Sequence, residues 1–225
     1  MQYFGGKAKI AKYIVPYLES VRKENQKYLE PFIGGANIVS KMSGERYACD
    51  YNEYLIEMYK GVQDGYELPD ELSEEEYRYI KDNKDEDKTL TGFVGFGCSF
   101  AGKWFGGFAR NKEHHNYCKA SKNSLVKKMS TMKDVKFEWK DYKTLEPKGM
   151  LIYCDPPYAN TTKYTGTPSF DSNEFWNVMR RWSKDNDVYI SEYEAPADFI
   201  SVLDIPTKTT DTVCDRIEKL FTYNI

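Results

Sequence analysis

Apolar residues at Ile10, Ile14, Leu18 and Val21 recur at helical spacing and predict an amphipathic helix over 8–22, bent at Pro16. A short strand over 26–30 leads into Pro31-Phe32-Ile33-Gly34-Gly35-Ala36-Asn37, followed by a helix to about Met42. Residues 46–50 read as a second strand and 52–60 as a second helix, the alternation of a parallel-sheet fold. From 61 to 132 the pattern is helical and loop-like. Strands return at 135–139, 150–154 and 187–191, with a helix over 171–184 between the last two. Segments 200–205 and 212–222 read as a closing pair of strands joined through Pro206-Thr207-Lys208-Thr209. The expectation is an α/β core of residues 1–60 and 133–225, ending in a β-hairpin and interrupted by a mostly helical insertion at 61–132.

The 225 residues are 40% apolar and 30% charged, and no apolar run approaches the ~18 residues of a membrane helix. No membrane partner is expected. The opening MQYFGGKAKI lacks the apolar centre of a signal peptide, and the five cysteines (49, 98, 118, 154, 214) are odd in number and widely spaced. Both observations point to a reducing, cytoplasmic setting. No metal is expected, because the cysteines fit no metal-ligand spacing and His114 and His115 are the only histidines. A Ser-His-Asp hydrolase and a phosphate-loop nucleotidase are disfavoured, since G-x-S-x-G and G-x-x-x-x-G-K-[ST] are both absent.

The net charge of −3 hides an asymmetry. Residues 67–87 carry ten acids against three bases, whereas 103–140 carry ten bases against three acids. Two solvated helical faces would account for the counts alone. Residues 92–111, however, mix five Phe and Trp104 with six Gly, a pattern that is neither helix nor strand by period. Most of those Phe residues are expected in the core. Aromatic side chains beside Lys103 and Arg110 also suit stacking on nucleobases or insertion between them.

Ligands of open parallel sheets bind beyond the carboxyl ends of the strands. Three such ends are suggestive here. Glu30-Pro31-Phe32-Ile33-Gly34-Gly35-Ala36-Asn37 is a strand-to-helix turn whose glycines allow close backbone approach, although Gly-Gly turns are common. Asp50 ends the second strand about 20 residues further on, an offset that suits a ribose diol; Asp50 or Asn52 as a helix cap is the competing role. Asp155-Pro156-Pro157-Tyr158 follows an apolar strand, a string expected by chance in on the order of one such chain per thousand. Its prolines donate no amide hydrogen, so the Asp155 carboxylate and Pro156 carbonyl form a fixed acceptor pair for an amino group, with Tyr158 to stack on the ring bearing it.

Taken in order, Tyr3-Phe4-Gly5-Gly6-Lys7, Glu30-Pro31-Phe32-Ile33-Gly34-Gly35-Ala36, Cys49-Asp50-Tyr51-Asn52 and Asp155-Pro156-Pro157-Tyr158 resemble the motifs of Dam-type, D12-class DNA adenine-N6 methyltransferases, in a compact form of the phage or mobile-element kind. The resemblance implies a Rossmann-like sheet binding S-adenosylmethionine, with 61–132 as the target-recognition subdomain and duplex DNA as partner. It implies a cofactor pocket of Tyr3, Gly6, Lys7, Glu30, Pro31, Phe32, Gly34, Asp50, Tyr51, Asp141, Tyr142 and Asp155. It implies catalysis by Asp155, Pro156, Pro157 and Tyr158 on a flipped-out adenine. Lys103, Trp104, Arg110, Asn111, Lys127 and Lys128 are the expected DNA contacts. Ser191-Glu192-Tyr193 resembles a later core motif in which Asn is frequent at the position of Glu192, and Ala36 stands where many relatives carry a third glycine. Cys98-Ser99-Phe100-Ala101-Gly102-Lys103 departs from the family's recognition segment, so a GATC target is not implied. A monomer or weak dimer is expected. Competing readings are a related enzyme acting on an RNA base or cytosine N4, and a catalytically silent DNA-binding module.

Overall fold

The computed structural model describes residues 1–110, 115–157, 170–207 and 216–224, the side chains of Thr207 and Arg216 excepted. Strands β1 (Tyr28–Glu30), β2 (Arg46–Asp50), β3 (Lys136–Trp139), β4 (Leu151–Cys154), β5 (Asp187–Glu192), β6 (Phe199–Thr207) and β7 (Arg216–Tyr223) form one sheet in the order β3-β2-β1-β4-β5-β7-β6. Pairing is parallel through β5, after which β7 runs antiparallel between β5 and β6. The Rossmann-like α/β sheet with a C-terminal hairpin is thus as expected. β1 and β4 are buried at every position, as parallel strands covered on both faces must be.

Among the described residues, six α-helices pack around this sheet: α1 (Ala11–Val21), α2 (Glu53–Gln63), α3 (Glu74–Asp82), α4 (Lys88–Gly97), α5 (Tyr117–Met129) and α6 (Ser172–Trp182). α1 contains Pro16, as its sequence requires. Side-chain caps start the others, with Asn52 accepting from Leu55, Asp87 from Leu90, Asn116 from Lys119, Asp171 from Glu174, and a full capping box between Ser73 and Glu76. One apolar cluster joins α1, α2, α4 and α5 to one face of the sheet through Ile14, Leu18, Leu55, Met58, Phe93 and Leu125. A second joins α6 to the opposite face through Phe175, Val178, Met179, Ile152 and Ile190. Among the described residues, no helix is long and apolar enough to cross a membrane.

Two local expectations are corrected. The helix expected between the Gly34-Gly35 turn and Met42 is only a 3-10 turn at Val39–Lys41, because Gly34 (φ 44°) and Ala36 (φ 51°) hold the chain in the left-handed region. The first part of the aromatic and glycine-rich stretch is the helix α4, not an irregular segment. Its glycines are contact points. A Cβ at Gly92 would lie 2.0 Å from the Tyr54 carbonyl oxygen on α2, and one at Gly95 would lie 2.3 Å from the Trp104 ring. Residues with side chains there would force these elements apart. Asn111 and Tyr158 lie outside the described residues, as do His114 and Cys214.

Candidate active site

The chain order turns back between β1 and β4: β2 and β3 build outward on one side, β4 and β5 on the other. Clefts of doubly wound sheets open at such a reversal, beyond the carboxyl ends of the strands. Glu30, Asp50 and Asp155 stand at the ends of β1, β2 and β4.

Lys7, in the 3-10 turn Lys7–Lys9 that precedes α1, is buried with its ammonium 3.0 Å from Asp155 Oδ1 and 3.2 Å from Glu218 Oε1. Burial alone would lower its pKa, but the two carboxylates more than offset that and hold it above the ordinary lysine value. Glu30 is buried and accepts from the Tyr28 hydroxyl at 2.9 Å and the Val39 amide at 2.7 Å. Burial pushes its carboxyl up to about 8 despite those two donors, with the Asp155 charge pushing the same way.

Asp50 does not cap α2; Asn52 does. Instead the Asp50 carboxylate accepts from the Gly34 amide at 3.1 Å and the Asn52 amide at 2.9 Å, which ties β2 to the turn after β1. Burial raises its pKa to about 6, against those amides. Tyr59 on α2 fixes the same turn by donating to the Gly34 carbonyl at 2.8 Å. The N-terminal segment lies directly against it, since a Cβ at Gly34 would come 3.0 Å from the Tyr3 ring and one at Gly6 would come 2.7 Å from the Asn37 amide nitrogen. Tyr3 packs on Phe96 of α4 with ring centroids 5.0 Å apart, and the Phe4 amide donates to Gly102.

Phe32 packs against Tyr142 at 4.9 Å and Phe175 at 5.8 Å, forming an aromatic wall beside the strand ends. Asp141 caps the turn Tyr142–Thr144 through the Lys143 amide. Pro31 is buried, Pro156 is buried, and Pro157 is exposed. Ser191, at the end of β5, is buried and bonded to the Tyr153 hydroxyl at 2.8 Å. The adjacent Glu192 turns its carboxylate back to the Tyr193 amide.

The structure therefore gathers Tyr3, Gly6, Lys7, Glu30, Gly34, Asp50 and Asp155 around the turn after β1, with Phe32 and Tyr142 as a separate wall. Tyr51 is instead turned to the surface. Of the basic set, Lys103 lies over the Phe4 ring at 4.4 Å, Arg110 pairs with Glu74 at 2.9 Å, and Lys127 is exposed. Trp104 stacks on Tyr54 at 5.4 Å and also packs against Phe96 and Phe105. Lys128 points inward, donating to the Gly35 carbonyl and to Asn37 Oδ1, and burial, then the nearby Lys41, lower its pKa to about 8.

Two participants escaped the sequence reading. Glu218 sits in Arg216–Tyr223, where alternation alone does not say which face is inward. Tyr59 carries no motif signal.

The donor set suits a ligand that carries a diol, because Asp50, with both oxygens already placed by backbone amides, retains lone pairs for hydroxyl donors.

Residues 3–94 match the family model of the D12 class N6 adenine-specific DNA methyltransferases. The resemblance read from the motifs is borne out over that span, which contains the Lys7, Glu30 and Asp50 motifs. No curated protein sequence matches the chain. In fold, the chain is similar to the rRNA methyltransferase aviRa from Streptomyces viridochromogenes in two structures, at 8% identity with TM-scores of 0.46 and 0.48. The alignments cover 96% and 99% of this chain and 84% and 87% of that one. It is also similar to a putative rRNA methylase from Clostridium thermocellum, at 7% identity and a TM-score of 0.43, over 95% of this chain and 96% of that one.

Proposed function

We propose that the protein transfers a methyl group from S-adenosylmethionine to N6 of an adenine flipped out of duplex DNA. The observation that carries the reading is the Asp155-Pro156-Pro157 segment at the sheet's point of reversal, its carboxylate ion-paired to the buried Lys7. The D12 match over 3–94 supports it independently, because that span contributes Lys7 but not Asp155.

S-adenosylmethionine, when bound, supplies an electrophilic methyl group on a sulfonium. Asp50 would hold its ribose hydroxyls, Tyr3 and the Gly34 turn its methionine portion, and Phe32 with Tyr142 its purine. An adenine amino nitrogen is a weak nucleophile because its lone pair is delocalised into the ring. Asp155 and the Pro156 carbonyl accept its two hydrogens, localise that lone pair and aim it. Lys7 engages Asp155 Oδ1, orienting the carboxylate toward the amine, and Asp155 takes the proton that the nitrogen sheds. Tyr158 would stack on the flipped base. Residues 61–132 would serve as the target-recognition region, with the exposed Lys103, Arg110 and Lys127 as its DNA contacts and Asn111 as a further candidate, whereas Trp104 packs inside the region and Lys128 braces the Gly35-Asn37 turn.

The test is methyl transfer from labelled S-adenosylmethionine to unmethylated duplex DNA, with nucleosides identified by mass spectrometry and Asp155→Ala in parallel. N6-methyladenine from the wild type, with less than a few percent from the variant and cofactor binding intact in both, is the expected result. Product on RNA alone, or none with the cofactor bound, overturns the assignment.

A further inference from the structure

Two free thiols, Cys98 and Cys118, meet in the proposed recognition region and take no part in the chemistry above. Cys98 is the C-cap of α4, and Cys118 is the second residue of α5. The helices are clasped beside them, because the Ser121 hydroxyl donates to the Gly97 carbonyl at 2.6 Å. A Cβ at Gly97 would lie 3.2 Å from the Ser121 Cβ. Ser121 stands about one turn beyond Cys118, and Gly97 directly precedes Cys98, so the two thiols lie together and share a hydrogen bond. Cys118 in turn donates to the Pro69 carbonyl at 3.3 Å. Both side chains are buried, yet both line one cavity of about 290 Å³ with Phe108, Ala109 and Arg110. Cys49 and Cys154 belong to the apolar cluster on the opposite face of the sheet. The hydrogen bond from Cys98 holds the Cys118 thiol below its ordinary range against burial, whereas that bond and then burial raise Cys98. One sulfur is thus readied to ionise while its neighbour keeps its proton.

We propose that Cys98 and Cys118 are a modification site, an attacking and a resolving thiol that hydrogen peroxide converts into a disulfide between the end of α4 and the start of α5. The Cys118 thiolate attacks one peroxide oxygen, the O–O bond breaks, hydroxide leaves, and Cys118 becomes a sulfenic acid. The proton that Cys118 gave up completes the first water. Cys98 then attacks the Cys118 sulfur. An S–S bond forms, the S–O bond breaks, and the hydroxyl departs with the Cys98 proton as a second water. The two thiols lose two electrons and two protons in all, and one peroxide is reduced to two waters. The cavity has room for several molecules the size of water, so it gives a small oxidant the approach that burial would otherwise deny. In a reducing setting the dithiol is the resting form, and the disulfide forms on oxidative challenge. That bond closes a loop between residues 98 and 118, and the chain between them carries Lys103 and Arg110, both proposed above as DNA contacts. It forms whether or not the protein transfers methyl groups.

The test is oxidation of the full chain with a modest excess of hydrogen peroxide, followed by alkylation of the remaining thiols, proteolysis and mass spectrometry. The wild type should yield one cross-linked peptide pair holding Cys98 and Cys118, lighter by two hydrogens than its parts and released by dithiothreitol. The same oxidation should raise the thermal midpoint by about 5 °C, because a loop of this length restricts the unfolded chain. Cys98→Ser should give no cross-link and no rise, and its Cys118 should be trapped by dimedone as the sulfenic acid. Sulfinic acid at Cys118 of the wild type without a cross-link, disulfides that join other cysteines instead, or thiols that stay unmodified would each overturn the proposal. So would a cross-link without a rise in the midpoint, since bonding would then have required the native helices to shift. Should Cys98→Ser fail to fold, the wild-type peptide map and midpoint decide the matter by themselves.

Discussion

Lys128 on α5 donates to Asn37 Oδ1 at 2.9 Å and to the Gly35 carbonyl, so a lysine from the basic half of the chain is fastened to the turn after β1. Its ammonium is engaged inside the protein, whereas the neighbouring Lys127 is exposed. Neutralising the two should separate cofactor effects from DNA effects.

Lys128→Met should leave the slope of log Kd against log salt for duplex DNA unchanged, and Lys127→Gln should reduce it by about one. Lys128→Met should instead weaken S-adenosylhomocysteine binding several-fold by loosening the Gly35-Asn37 turn. Fluorescence anisotropy across a salt series, with calorimetry for the cofactor product, reads both. A slope change in Lys128→Met would put that ammonium on DNA after all.

Glu30 carries a pH signature. Its carboxyl titrates at about 8 in the folded protein against an ordinary 4.5, so the folded state binds the extra proton across that window. The stability linked to this proton is fully present below about pH 4.5 and is lost as pH rises through about 8. Glu30→Gln keeps an acceptor for the Tyr28 hydroxyl and the Val39 amide but cannot ionise. Its stability relative to the wild type should therefore increase with pH by at least ~1 kcal/mol between pH 5 and 8, measured by urea denaturation. A difference that is flat with pH would mean that Glu30 is ionised throughout.

The seam between α2 and α4 depends on glycine. A Cβ at Gly92 would meet the Tyr54 carbonyl at 2.0 Å, and backbone cannot swing away as a side chain can. Gly92→Ala should cost about 3 kcal/mol. Gly97→Ala, whose Cβ would come 3.2 Å from Phe93 and Ser121 side chains, should cost about 1 kcal/mol. Chemical denaturation of both variants tests the ordering, and equal costs would refute it.

Ala36 and Ala48 are both fully buried, but only Ala36 has a left-handed backbone, with φ of 51°. Replacing it with glycine relieves ~1 kcal/mol of strain while losing a methyl contact and freeing the unfolded chain. Ala36→Gly should therefore stay within about 1 kcal/mol of the wild type, whereas Ala48→Gly, with no strain to relieve, should cost ~1–2 kcal/mol. A larger loss at Ala36 than at Ala48 would contradict this account.

The central strands were legible because parallel strands covered on both faces must be continuously apolar, as Leu151–Cys154 is. The strand ends followed from the acids that close them. What misled was conformation invisible to hydropathy: an alanine in the left-handed region stopped the expected helix before Met42, and α4 is buried on its glycine side too, so no clean amphipathic period survives. Charge patterns located the basic half of the chain without telling Lys127 from Lys128, because direction depends on what α5 packs against. Glu218 was hidden for a related reason. Only pairing with β5 and β6 fixes which face of β7 is inward.

The position of β7 between β5 and β6 bears on the order in which the chain can mature. The last strand in sequence is not the last in the sheet, so β6 has no place to dock until β7 has inserted beside β5. The buried ammonium of Lys7, in the first helical turn, acquires its second carboxylate at that same moment. The pocket proposed for the cofactor is therefore completed only when β7 has joined the sheet, however early Lys7 and Asp155 take their places.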